Sequence, residues 1–176
     1  MILFGLVGSS QAATTIEIGW WHQILTQAKR NEIILNFAKL DRNLPSSVKV
    51  KDRCNCKEWA RRVVKSASKG VMDLPQTSSD LWHWYTDPYI YAYSPYNVGV
   101  IEHAKPGQLI QMHVYKSNGS FSTEHTAIVY KQDAGKKGLW LIDANWTLCE
   151  ITTHYITYVD FYDKYTKRKF TLYDIQ

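Results

Sequence analysis

Long apolar runs are missing from this chain. Hydrophobic residues make up 45% of its 176 positions, yet no stretch is long enough to span a bilayer, which excludes a membrane-crossing helix. Proline is sparse, with five residues, and neither an internal repeat nor a low-complexity tract is visible, which leaves the composition of a globular protein. Cysteine is scarce too: three residues neither demand nor exclude an oxidising compartment. Dense charge is also lacking. Lysines and arginines are scattered, and the tightest run, "KYTKRKF" near the end, reads as a solvated strand edge, so specific nucleic-acid binding is not expected.

What is present is aromatic and basic. Aromatic residues reach 14%, with seven tryptophans and twelve tyrosines, which suits a β-rich fold or a surface that holds flat or sugar-like ligands. The formal charge of +5 attracts polyanions, whether nucleic acid, anionic lipid or an acidic polymer. The length fits one domain, expected over residues 14–176, after a segment of residues 1–13. In that segment Ile2 to Val7 resembles a short apolar signal core and Ser10-Gln11-Ala12 a small-x-small cleavage pattern, although a basic lead is missing. Export is the expectation; an apolar segment packed on the domain is the alternative.

The periodicity changes along the chain. From Thr26 to Leu40 a helix is predicted, with Ile33, Phe37 and Leu40 on its apolar stripe and Ile34 and Ala38 widening it. A second helix is expected from Cys56 to Ser66, buried through Trp59, Ala60 and Val63. Residues 70–106 read as loop and turn, and after Pro106-Gly107 the period becomes two. "QLIQMHVY", "HTAIVYK", "GLWLIDANW", "LCEITTHYI" and "KFTLYDI" are strand candidates, and "KSNGSFSTE" and "KQDAGKKG" look like hairpin connections. Helices first and antiparallel strands afterwards indicate an α+β domain.

The chemistry-bearing stretch is "RCNCKEWARRVV", from Arg53. Asn55 is a good N-cap, and Glu58 can reach back to it in an Asn variant of the capping box. Cys56 then stands at the first helical position, where orphan N–H groups and the dipole favour a thiolate by about 0.3–1 kcal/mol, less than one pKa unit. A reactive cysteine needs a histidine as well. The other readings of Cys56 are a small hydrophobe on a buried helix face or, with Cys54, a zinc ligand. For zinc the single intervening residue is tight, and no second ligand pair follows.

Of the six histidines, His22, His83, His103, His113 and His154 have no orienting neighbour in sequence and read as surface or packing residues. His125 differs. It is expected to open the strand "HTAIVYK" on the face of Ala127 and Val129. On the next strand Leu139, Leu141, Asp143 and Asn145 share one face, two apolar positions leading to two polar ones. If the strands form a hairpin, Asp143 or Asn145 can hold the second ring nitrogen of His125; otherwise the two simply begin the next turn.

"CKEWA", "KPGQLIQM", "HTAIV" and "DANW", in this order, resemble the CHAP family, cysteine- and histidine-dependent amidohydrolases/peptidases, with the related NlpC-type cell-wall peptidases close behind. The resemblance implies a papain-like fold with N-terminal helices on an antiparallel sheet. It implies Cys56 as nucleophile, His125 as general base, Asp143 as its orienter, and Asn145 as a second polar group assisting the orienter or polarising the substrate carbonyl. No metal or organic cofactor is implied. The substrate would be an amide bond in peptidoglycan or its peptide fragments, with anionic wall polymer as a further partner and an exported location. Gln108 stands where the family often has aspartate. "CKEWA" also resembles the transglutaminase-like pattern, which "HTAIV" and "DANW" fit poorly. A papain-like amidase acting on another amide and a non-catalytic binding module on the same fold are the alternatives. Cys54 has no family role; it is a bystander or a partner for Cys149, since pairing with Cys56 would disable the nucleophile. Trp82, Trp84, Tyr85, Tyr89, Tyr91 and Tyr93 could line the cleft or pin their own loop to the core.

Overall fold

The computed structural model describes residues 15–45, 52–74, 90–92, 101–145 and 147–176. Residues 1–13 and Trp82, Trp84, Tyr85, Tyr89 and Tyr93 lie outside the described residues, and of Tyr91 only the backbone is described. Helix α1 (Thr15–Gly19) runs into a π-helical turn, followed by α2 (Gln27–Asn43) and α3 (Cys56–Ala67). The strands are β1 (Ile90–Ala92), β2 (Leu109–Tyr115), β3 (Phe121–Asp133), β4 (Gly138–Asn145), β5 (Glu150–Thr157) and β6 (Phe170–Ile175). They form one antiparallel sheet in the order β1-β6-β2-β3-β4-β5, so the described part of the domain is α+β.

Alternation along the strands divides the core between two faces. On one face Leu109, Ile128, Ile142, Ala144 and Tyr173 meet α2 and α3 through Ile34, Leu35, Trp59, Ala60 and Val63. On the other, Ile110, Ala127, Val129, Leu139 and Leu172 meet Phe161 and Tyr162 from a π-helix at Asp160–Tyr165. That second cover follows from strands such as β6, whose six residues are all buried.

Helix α3 agrees with the sequence in extent and in its buried face. Helix α2 buries only part of the expected stripe: Ile34 and Ala38 face inward as expected, joined by Asn31 and Leu35, while Phe37 and Leu40 are 37% and 62% exposed. The reason is polar. Gly107, at φ +87°, lies so close to α2 that any Cβ would collide with the Asn31 carbonyl, and the Asn31 side chain donates to buried Asp174 at 3.2 Å. Gln108 donates to the same carboxylate at 2.8 Å and accepts from the Lys105 N–H at 2.7 Å. An apolar pattern cannot register a helix face anchored by an asparagine.

Three further expectations are corrected. Strand β1 lies within the stretch read as loop, and its three residues are too few to show a period. Strand β3 begins at Phe121, so His125 is its fifth residue; the four before it, Phe121 to Glu124, extend an open hairpin arm and carry no apolar alternation. The basic run near the end forms a turn, where Lys167 and Arg168 both have positive φ, rather than a strand edge.

Candidate active site

Asn55 caps α3 as expected, its Oδ1 accepting from the Glu58 N–H at 3.0 Å. The reciprocal half of the capping box is absent. The Asn55 N–H goes to the Asp52 carbonyl, and the Glu58 carboxylate pairs with Arg61 at 2.7 Å. Cys56 is therefore the first helical residue, and its own N–H has no carbonyl within the helix to bond. The helix is held to α2 by Asp41, which accepts from Trp59 Nε1 at 3.0 Å and pairs with Arg62 at 2.6 Å.

The meeting of Cys56 with β3 depends on where a ladder stops. Strands β3 and β4 pair from Asp133↔Gly138 up to Ile128↔Ile142 and no further, whereas β4 continues beside β5 to Asn145↔Glu150. Beyond Ile128 the inner edge of β3 is released, and the Thr126 N–H donates to Cys56 Sγ at 3.4 Å. In this opening the helix terminus from one face meets His125 and Asp143, which belong to the other.

His125 Nε2 is 2.8 Å from Asp143 Oδ2, with the two side chains 15% and 4% exposed. A carboxylate can only accept, so Nε2 carries the proton and Nδ1 is the nitrogen left for Cys56. Burial opposes charge on His125, but hydrogen bonds to Asp143 and Cys56 outweigh it and push its pKa up to about 10. Burial likewise opposes a Cys56 thiolate; the His125 hydrogen bond and charge, with the Thr126 N–H, overcome this and lower the thiol pKa. Asp143 is held below its ordinary range against burial by His125, then by His154 and Thr152. Both shifts favour a thiolate–imidazolium pair backed by a carboxylate.

Cys56, His125 and Asp143 are thus brought together, and Asn145 is not. Its Oδ1 accepts from the Thr147 and Leu148 N–H groups at 2.9 and 3.0 Å, and its carbonyl accepts from the Cys149 N–H at 2.8 Å. The residue builds the β4–β5 turn instead of touching the imidazole. That turn presents Cys149, at φ +50°, to Cys54, and the two form a disulfide. A zinc pair of Cys54 with Cys56 is thereby ruled out, and Cys56 is the free thiol.

Three groups escaped the sequence. His154, read as a surface or packing residue, lies with Nδ1 3.4 Å from Asp143 Oδ2, and the Thr152 hydroxyl donates to Oδ1 at 2.9 Å. Their partner is across a ladder rather than nearby in sequence: Asp143 is opposite Thr152 and Leu141 opposite His154. The shared parity of Thr152 and His154 in "EITTHYI" was the available signal, but it required the β4–β5 register. Tyr165, in the π-helix, is close enough to feel Asp143 and Cys56: burial and then their charges raise its phenol pKa.

No protein-family model matches the chain, and no curated protein or solved structure matches it.

Proposed function

We propose that this chain is a papain-like cysteine amidase or endopeptidase of CHAP/NlpC type, acting on amide bonds of bacterial cell-wall peptides. The observation that carries the reading is the ordered contact chain from Asp143 through Nε2 of His125 to a Cys56 thiol at a helix N-terminus. The Cys56 thiolate attacks the amide carbonyl and forms a carbon–sulfur bond, while the carbonyl π-pair moves to oxygen. The Cys56 N–H, aligned with the positive end of α3, receives that oxyanion. The His125 imidazolium gives its Nδ1 proton to the leaving amine as the carbon–nitrogen bond breaks. Neutral His125 then removes a proton from water, which attacks the thioester, releases the acid and restores the thiolate.

The wall as substrate is supported by the four motifs and by the charge of +5, which draws the protein to anionic polymers. An exported location is supported by the Cys54–Cys149 disulfide, a bond favoured in oxidising compartments. No described helix is long and apolar enough to cross a membrane.

The test is incubation of the protein and its Cys56→Ala variant with purified sacculi, with soluble fragments read by mass spectrometry. New fragments that vanish with Cys56→Ala are expected, and their masses identify the bond. No fragments from several wall types would replace the wall with another amide substrate or a non-catalytic module. Fragments that persist in Cys56→Ala would remove Cys56 from the reaction.

A further inference from the structure

We infer that His154, together with Thr152, is a positioning residue that clamps Asp143 so that its Oδ2 stays on His125. This rests on the proposed cysteine chemistry and extends it by one shell. A carboxylate orients an imidazole only while its own plane is fixed, and rotation about its last torsion is otherwise soft. Here each oxygen has a neighbour on β5: Oδ1 accepts from the Thr152 hydroxyl at 2.9 Å, and Oδ2 lies 3.4 Å from His154 Nδ1 and 2.8 Å from His125 Nε2. Both clamping side chains come from the full-length β4–β5 ladder, which runs unbroken through all eight residues of β4. The carboxylate is therefore referenced to the rigid side of the opening, while His125 stands on the strand that separates from it.

The residue type matters. Burial lowers the His154 pKa, with Asp143 raising it and His125 lowering it further, so the uncharged ring is favoured beside the carboxylate. A permanent cation at this place would draw Asp143 into an ion pair of its own and weaken its hold on the His125 imidazolium. The titratable groups around Asp143 are Cys56 from α3, His125 from β3, His154 from β5 and Tyr165 from the π-helix. Among them the longer His154 contact leaves the shorter bond to His125 dominant.

The experiment reads the rate of Cys56 alkylation by iodoacetamide against pH, which needs no substrate, for the full chain and for His154→Ala, His154→Gln and Thr152→Val. In His154→Ala the acid limb of the profile should move up by about 0.5 to 1 pH unit, slowing alkylation on that limb about 3- to 10-fold, the size of one polar contact's net effect. His154→Gln, which keeps an N–H donor, should restore most of the shift, and Thr152→Val should move the limb in the same direction. A purely structural role would lower the melting temperature and leave the limb in place. A His154→Ala profile that superimposes on that of the parent chain, or a His154→Gln shift equal to that of His154→Ala, overturns the clamp. If His154→Ala does not fold, the near-isosteric Thr152→Val decides, and an unmoved limb there overturns it as well. A parent chain whose Cys56 alkylates as an ordinary thiol sinks the proposed enzyme instead, so the two failures are told apart.

Discussion

Strands β3 and β4 are one hairpin with two different ends. Near the connection, Lys131, Gln132 and Asp133 pair with Trp140, Leu139 and Gly138, and Leu139 is fully buried in the core shared with Phe161. At the other end the same strands carry His125 and Asp143, with no ladder between them and Cys56 in the gap. The closed end stores stability in apolar burial. The open end holds polar and ionisable groups that a continuous ladder would keep apart, because backbone bonds would occupy the edge from which Thr126 now reaches the sulfur. The candidate site is obtained here by stopping a sheet early.

That contrast can be broken at each end. At the closed end, Leu139→Ala should cost about 2–5 kcal/mol in a denaturant melt. It should leave the pH profile of Cys56 alkylation unchanged wherever the variant is folded; a moved profile would mean that the two ends are not separable. At the open end, replacing both Cys54 and Cys149 by serine should cost about 2–4 kcal/mol, because the bridge spans a sequence separation of 95 residues. Unlike the first change, this one should also slow Cys56 alkylation in the folded protein, since it frees the start of α3 from the β4–β5 turn. Equal alkylation with and without the bridge would reduce the disulfide to a staple.

The smallest effect is on pH dependence. Taken alone, His125, raised from 6.5 to about 10, stabilises the fold fully below pH 6.5, and that contribution is lost as pH rises through about 10. Taken alone, Cys56, lowered from 9.0, stabilises fully above pH 9.0, and that contribution is lost as pH falls through its lowered value. Above pH 9.0 the unfolded sulfur has lost its proton while folded His125 keeps one up to about 10, so the folded pair then binds more protons than the unfolded pair. The pair's contribution should therefore fall as pH rises above 9.0, by up to about 1.4 kcal/mol per pH unit. Urea midpoints of the parent chain, less those of a Cys56→Ala, His125→Ala double variant, measure it. A contribution that does not fall above pH 9.0 would deny that His125 is held protonated in the folded pair.

Much of this was legible locally. An N-cap followed by an apolar stripe placed Cys56 at a helix start, and alternation put His125 and Asp143 on the faces they occupy, since these signals reach only a few residues. Asn145 misled because a polar residue at the end of a strand reads the same whether it faces an imidazole or builds a turn. Phe37 misled because the helix is rotated by Asn31, whose partner Asp174 is 143 residues away.

By itself, then, the sequence determined the α+β division, the amphipathic helix that carries Cys56, and the choice of Cys56 and His125, with Asp143 and Asn145 both left open as partner of the imidazole. Only the tertiary structure decided where the β3–β4 ladder ends, which cysteine bonds Cys149, and that Thr152 and His154 stand against Asp143. Those three outcomes depend on strand register and on contacts across the sheet, and periodicity along one strand contains neither.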